Sequence, residues 1–269
     1  MAAVDIGSRQ LHVARRGSGD PLLLIPGLAA TSGFWGEPFL DALAADREVI
    51  TYDHRGIGES SPSQGAFSIA DLADDAAALL EALGVASAHI AGTSMGGMVA
   101  QELALRHPGR VRTLSLICTY AGGPGSAITD RAVFGRYLSA IRSGDVEAVA
   151  QTGFEINVGP AARERPGMYR TYRTLAFAGP APRPVVVEQA RATAPHDTSA
   201  RLGSVAVPTS VIHGDQDLML DVANAHQIAD LMPGAQLDVL PGAGHVLWLE
   251  QPQVLARLIA ETCGRAVPA

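Results

Sequence analysis

The 269-residue chain contains no lysine; all twenty of its basic side chains are arginine. A lysine Schiff base, a Ser–Lys dyad and a phosphate-gripping P-loop lysine are therefore all excluded. Cysteine is scarce as well. Cys118 and Cys263 stand far apart and match no metal-ligand spacing. They read as two reduced, partly buried thiols of a reducing compartment, so neither a disulfide nor a bound metal is expected. No apolar run approaches the roughly 18 residues of a membrane span. The opening stretch has no basic segment leading into an apolar one, so no secretory signal is expected. Positive charge is in deficit too, at a formal −7, which argues against nucleic acid as a partner. The expectation is a soluble, cytoplasmic protein that meets a small molecule and neither nucleic acid nor a membrane. A homo-oligomer is compatible with all of this.

What the chain does have is apolar residues, at 47%, against 17% charged ones. That suits a globular core in need of no metal or disulfide, and the length suits one α/β domain with an insertion. Gln10–Arg16 alternates weakly and reads as an early antiparallel strand. Leu22–Ile25, Glu48–Tyr52, Ala88–Ala91 and Val111–Cys118 are continuous apolar strands separated by helical segments, the signature of a mostly parallel sheet covered on both faces. The clearest helix is Ile69–Leu83, with Ser68 and Asp71 placed as a capping box and Gly84 as the stop. Met95–His107 is a second helix. From Ala121 to Ser204 no buried strand is recognisable, only helical fragments rich in Arg and Pro. Alternation then resumes with Pro208–Ile212 (strand), Asp221–Met232 (helix), Gln236–Leu240 (strand) and Gln251–Glu261 (helix). Residues 1–120 and 205–269 are thus expected to form one core, and 121–204 an inserted helical cap.

The chemistry-bearing motif is Gly92-Thr93-Ser94-Met95-Gly96, between an expected strand and an expected helix. A G-x-S-x-G at a sharp strand-to-helix turn strains the Ser and demands small neighbours. It presents the hydroxyl at a helix N-terminus, where the dipole favours developing negative charge. Met95 N–H points to the same place and can donate to an oxyanion. The competing interpretation is an ordinary Gly/Ser turn, which the strand–turn–helix context disfavours.

A Ser nucleophile needs a base. Of eight histidines, His245 lies in a glycine loop, Pro241-Gly242-Ala243-Gly244-His245, just after the last strand. His12 and His89 fall in strands, His107 ends a helix, His226 lies inside one, and His196 is in the insertion. His213 precedes a Gly after a strand, and His54 follows a strand where it could line the site. The base in turn needs a carboxylate to hold its tautomer. Val211–Asp217 offers Asp215 and Asp217, which the local sequence does not separate. A second oxyanion donor is expected after the first buried strand, at Leu24-Ile25-Pro26-Gly27-Leu28, where Gly27 allows close approach and Leu28 N–H can donate.

Together these segments resemble the α/β-hydrolase superfamily. The signatures are Pro26-Gly27 after an apolar strand, Asp53-His54-Arg55-Gly56-Ile57-Gly58-Glu59-Ser60, Gly92–Gly97, His213-Gly214-x-x-Asp217, and Gly244-His245 followed by Glu250-Gln251-Pro252. They run from about residue 20 to the C-terminus, in the order Ser, Asp, His. The resemblance implies an α/β-hydrolase fold: a mostly parallel central sheet with helices on both faces and a helical cap inserted after the sixth strand. It implies Asp217 as the acid, since the last Asp of His-Gly-x-x-Asp holds that role in such enzymes. It makes Asp53–Ser60 a structural turn, and it needs no cofactor. Pro26 departs from the His that many relatives carry there. In look the chain is most similar to 3-oxoadipate enol-lactonases, small carboxylesterases and cofactor-free haloperoxidases (perhydrolases).

The expected function is hydrolysis of a carboxylic ester or lactone through an acyl-enzyme on Ser94. The alternatives are a C–C bond hydrolase or lyase with the same triad, or a non-catalytic binding relative. A haloalkane dehalogenase or epoxide hydrolase is disfavoured, because each needs Asp where Ser94 stands. The insertion holds ten Arg against seven acids, an excess of +3 in a chain of −7. That excess suits an anionic substrate if an Arg is buried against the site; otherwise the Arg simply solvate helix surfaces.

Overall fold

The computed structural model describes residues 2–127 and 129–266. Its centre is an eight-stranded sheet: β1 Ala2–Asp5, β2 Gln10–Arg16, β3 Asp20–Ile25, β4 Arg47–Tyr52, β5 Ala88–Thr93, β6 Val111–Ile117, β7 Thr209–Gly214 and β8 Gln236–Leu240. The order is β1-β2-β4-β3-β5-β6-β7-β8. The β1–β2 and β2–β4 pairs are antiparallel and all others parallel. The helices are α1 Glu37–Ala44, α2 Ile69–Ala82, α3 Met95–Arg106, α4 Arg131–Ser143, α5 Val146–Asn157, α6 Pro160–Arg163, α7 Met168–Ala176, α8 Arg183–Thr193, α9 Ala223–Leu231, α10 Leu247–Glu250 and α11 Pro252–Cys263.

The continuous apolar strands are buried on both faces, as their composition requires. Leu23 and Ile25 of β3 pack with Ile50, Ile90, Leu114 and the helices α2 and α3. Leu22 and Leu24 point the other way, onto Trp35, Phe39 and α11. Successive side chains of a strand alternate faces, so one run of four apolar residues serves two cores. The capping box on α2 is present, with Ser68 Oγ accepting from Asp71 N–H and Asp71 accepting from Ser68 N–H.

β1, α1 and the one-turn α10 lie outside the sequence-based expectation. β1 is short and largely exposed, an edge pairing Ala2–Asp5 with Gln10–Val13; with only Val4 partly buried it carries no alternation to read. α1 starts after Gly36 with Pro38 near its N-terminus. With β1 counted, the helical segment between β6 and β7 follows the sixth strand. It contains α4 to α8 and, among the described residues, no strand.

Candidate active site

Because β3 to β8 run parallel, the loops that follow them gather at one edge of the sheet, where open α/β sheets bind ligands. Pro26–Ala30 follows β3, Asp53 and His54 follow β4, Ser94 follows β5, Cys118 follows β6, Asp217 follows β7 and His245 follows β8. The sequence-predicted residues are thereby brought to a common end of the fold.

Ser94 adopts φ 54°, ψ −122°, a conformation that residues with a Cβ rarely occupy and that is held at functional sites. From Ala88 to Ala104 every residue is buried except Ser94. The glycines on either side are dictated by contact. A Cβ on Gly96 would meet the Ile25 carbonyl oxygen at 2.1 Å, and one on Gly92 the Gly96 oxygen at 2.2 Å. The turn is pinned by Ser94 N–H donating to Ile117 C=O at 2.9 Å and by Thr119 Oγ1 donating to Ser94 C=O at 2.7 Å. Met95 opens α3, and an α-helix leaves its first N–H groups without partners of its own. Gly27 lies against the same turn: a Cβ built on it would stand 3.4 Å from Ser94 Cβ. Leu28 beside it is exposed.

His245 and Asp217 are both buried, and His245 Nδ1 lies 2.6 Å from Asp217 Oδ2. Asp217 Oδ1 accepts from Met219 N–H (2.8 Å) and Leu220 N–H (2.9 Å). His213 Nε2, which donates to Leu220 C=O at 2.9 Å, is also 3.2 Å from Asp217 Oδ2. Burial by itself would raise the Asp217 carboxyl. Attraction to His245 and hydrogen bonds from His213 and His245 outweigh it and hold the group well below the usual carboxylate range. An ionised carboxylate only accepts, so the Nδ1 that faces it carries a proton, and in the neutral imidazole Nε2 is then the free acceptor. Asp215 turns elsewhere: its Oδ1 accepts from Gly242 N–H at 2.7 Å.

Further contacts support the pair and its loops. His245 N–H donates to Asn157 C=O at the end of α5 (2.7 Å). The buried Glu250 carboxylate accepts from Gly244 N–H at 3.0 Å and from Gly159 N–H at 3.1 Å, tying the His245 loop to the segment between β6 and β7. His54 does not open onto solvent; it is buried, and its Nε2 donates to Pro26 C=O at 3.1 Å. Burial lowers its pKa to about 4, so it is neutral and braces the Pro26 loop from below. Phe34, Trp35 and Trp248 meet edge to face beside this loop, Phe34 touching Tyr172 of α7.

Cys118 Sγ, Asp217 and His245 have ligand atoms within 4.8 Å of one another, the donor set of a metal site. Asp217 and His245 spend their atoms on each other, and burial pushes the Cys118 thiol up, away from the thiolate that a metal takes. A separate cavity of about 350 Å³, lined by Val205, Pro208, Thr209, Met232 and Arg265, lies at the opposite end of β7. Of the ten arginines between 121 and 204, nine are exposed and Arg163 is half-buried. Arg136, Arg173, Arg191 and Arg201 pair with Glu155, Glu147, Glu188 and Glu102. No buried Arg is available there to grip an anion, so the excess of positive charge fits the solvated-surface reading.

A sheet of this order, with a strained Ser after β5 and an Asp–His pair after β7 and β8, defines an α/β-hydrolase. The chain belongs to that family: the family model for the alpha/beta hydrolase fold matches residues 20–252. It is 29% identical over 264 residues to the "Putative carbamate hydrolase RutD" of Azorhizobium caulinodans, with 96% of each chain covered. Among solved structures, a hydrolase from Pseudomonas aeruginosa PA01 is 30% identical with a TM-score of 0.81, covering 95% of each chain. The enol-lactonase from Burkholderia xenovorans LB400 is 25% identical with a TM-score of 0.83, covering 98% of this chain and 99% of its own. Among the described residues, no helix is long and apolar enough to cross a membrane.

Proposed function

We propose that this hydrolase cleaves a small-molecule carboxylic ester or lactone through an acyl-enzyme on Ser94, with His245 as general base and Asp217 as its orienting acid. The observation that carries the reading is the 2.6 Å contact between His245 Nδ1 and Asp217 Oδ2. His245 Nδ1–H is committed to an ionised Asp217 at 2.6 Å, leaving Nε2 to accept a proton at the edge where Ser94 stands. Ser94 Oγ attacks the scissile carbonyl and its proton passes to His245 Nε2. The N–H groups of Leu28 and Met95 hold the tetrahedral oxyanion. His245 returns the proton to the leaving oxygen, and water repeats the sequence on the acyl-enzyme. No step asks for a cofactor. The relative whose name gives a carbamate hydrolase, and the enol-lactonase neighbour, support acyl chemistry over C–C cleavage, and carbamates belong in the substrate panel beside esters and lactones.

The test is covalent. A fluorophosphonate probe labels the wild-type protein, and Ser94→Ala abolishes both labelling and p-nitrophenyl ester turnover. Labelling that persists in Ser94→Ala sinks the assignment. Poor turnover of every ester by a labelled enzyme points instead to C–C bond cleavage.

A further inference from the structure

One contact to Ser94 comes from a residue that the proposed chemistry does not use. Thr119 lies two residues past the end of β6 and is buried. Its Oγ1 donates to Ser94 C=O at 2.7 Å. The chain reaches it through Cys118, whose φ of 43° lies in the left-handed region that a residue with a Cβ avoids. Ile117, just before, accepts the Ser94 N–H at 2.9 Å. The end of β6 therefore holds both backbone groups of Ser94. Room for Thr119 is made on α3. Gly97 stands inside that helix, where glycine is less favourable than alanine. A Cβ on it would meet Thr119 Cβ at 2.5 Å and Oγ1 at 2.6 Å. The approach of the Thr119 side chain thus explains the second glycine of Gly96-Gly97, as the Ile25 carbonyl explains the first.

The Ser94 carbonyl belongs to the same peptide unit as the Met95 N–H. That unit is planar and trans, so its C=O and N–H point in opposite directions and turn together. The torsion that turns it is ψ of Ser94, −122° in a strained residue. Gly97 and Met98 N–H grip the carbonyl from within α3, at 2.9 and 3.2 Å. Thr119 grips it from outside the helix. A carbonyl fixed in this way fixes the direction of Met95 N–H, and the added donor polarises the peptide so that its N–H donates more strongly. The loop of the other proposed oxyanion donor is braced separately: Ala29, next to Leu28, donates its N–H to Gln189 Oε1 of α8 at 2.8 Å.

We propose that Thr119 is a positioning residue for the oxyanion hole, its hydroxyl acting through the Ser94–Met95 peptide to aim and strengthen the Met95 N–H. It touches no substrate atom. Its effect falls on the step in which negative charge develops on the carbonyl oxygen, and so on kcat more than on KM. This inference rests on the serine-hydrolase reading above.

The test compares Thr119→Val, of nearly equal shape but without the donor, with Thr119→Ser, which keeps it. Active sites are counted by complete reaction with a fluorophosphonate, so misfolded protein drops out. Per active site, Thr119→Val is expected to lower kcat on p-nitrophenyl esters about tenfold with KM within about twofold of wild type, less than the roughly 10²–10³ lost when an oxyanion donor is removed outright. Thr119→Ser brings kcat back to within about threefold of wild type, because the hydrogen bond is kept. A trifluoromethyl ketone, which adds to Ser94 and places its oxyanion in the hole, loses affinity in Thr119→Val by the same factor as kcat. If Thr119→Val yields no labelled protein, Thr119→Ala carries the same comparison. Wild-type kcat in the variant without the donor, or a loss that Thr119→Ser shares, overturns the role of Thr119 and leaves the hydrolase reading standing. A wild-type protein neither labelled nor active on any ester overturns both.

Discussion

In the proposed mechanism His245 accepts a proton at Nε2, which requires the neutral tautomer that Asp217, 2.6 Å from Nδ1, favours. Its carboxylate collects two backbone N–H groups and two imidazoles, and the combined attraction overcomes burial to keep it ionised. Asp217→Asn removes that preference. It is expected to lower kcat by about 10⁴-fold, measured as ester turnover per folded molecule, and to lower stability as well, because the fold favours the ionised carboxylate. Asp215→Asn keeps an oxygen for Gly242 N–H, and both activity and stability should stay within about 0.5 kcal/mol of wild type. If Asp215→Asn is instead the more damaging to kcat, the acid has been misassigned. His213 Nε2, which donates to Leu220 C=O, stands 3.2 Å from the same carboxylate, and its place four residues before Asp217 is the one signal of that in the sequence.

The loop between β8 and α10 carries His245 but owes its shape to neighbours. Glu250, at the end of α10, turns its carboxylate back onto Gly244 N–H and across to Gly159 N–H, just ahead of α6. Asn157, ending α5, receives the His245 N–H. One short helix thus clips the candidate base to the helical segment that follows β6. Removing the carboxylate strands two buried donors, each costing about 1–3 kcal/mol. Glu250→Ala is therefore expected to lower the urea midpoint by an amount of that order and to reduce kcat more than it raises KM. A variant with wild-type stability would show that these N–H groups find other partners. The β5–α3 turn is more self-sufficient, since its glycines avoid backbone atoms only a few residues away or on the adjacent β3.

Acid should weaken the whole molecule before it reaches the carboxylates. His54, His89 and His196 are each lowered from 6.5 to about 4, in every case chiefly by burial. In the fold they bind protons less readily than in the unfolded chain. Between pH 6.5 and about 4 the unfolded state takes up more protons, so stability rises with pH and is lost as pH falls through that window. The urea midpoint should decline steadily from pH 7 to pH 4. His89→Gln, which keeps a partner for Thr113 Oγ1, should make the decline shallower. A midpoint flat across the window would mean that these imidazoles are not held neutral.

Much of this was open to reading one segment at a time. Apolar runs marked six of the eight strands and weak alternation a seventh, Ser68 and Asp71 marked the start of α2, and Gly92-x-Ser94-x-Gly96 marked the strained turn. Each of these features depends on residues within a few positions or on burial of both faces of a strand, and such constraints leave periodicity and small-residue spacing in the sequence. β1 left no trace because its faces are largely exposed. Nor could periodicity reveal that Asp217 and not Asp215 meets His245, that Glu250 reaches Gly159, or that Gln189 reaches Ala29. Those contacts join residues 28, 91 and 160 positions apart. They exist because parallel strands deliver their loops to one edge and the segment after β6 folds over it. Hydrogen-bond partners brought together by packing impose no repeating pattern on the chain between them, so apart from Asp217, which the family resemblance singled out, only the folded molecule could choose among them.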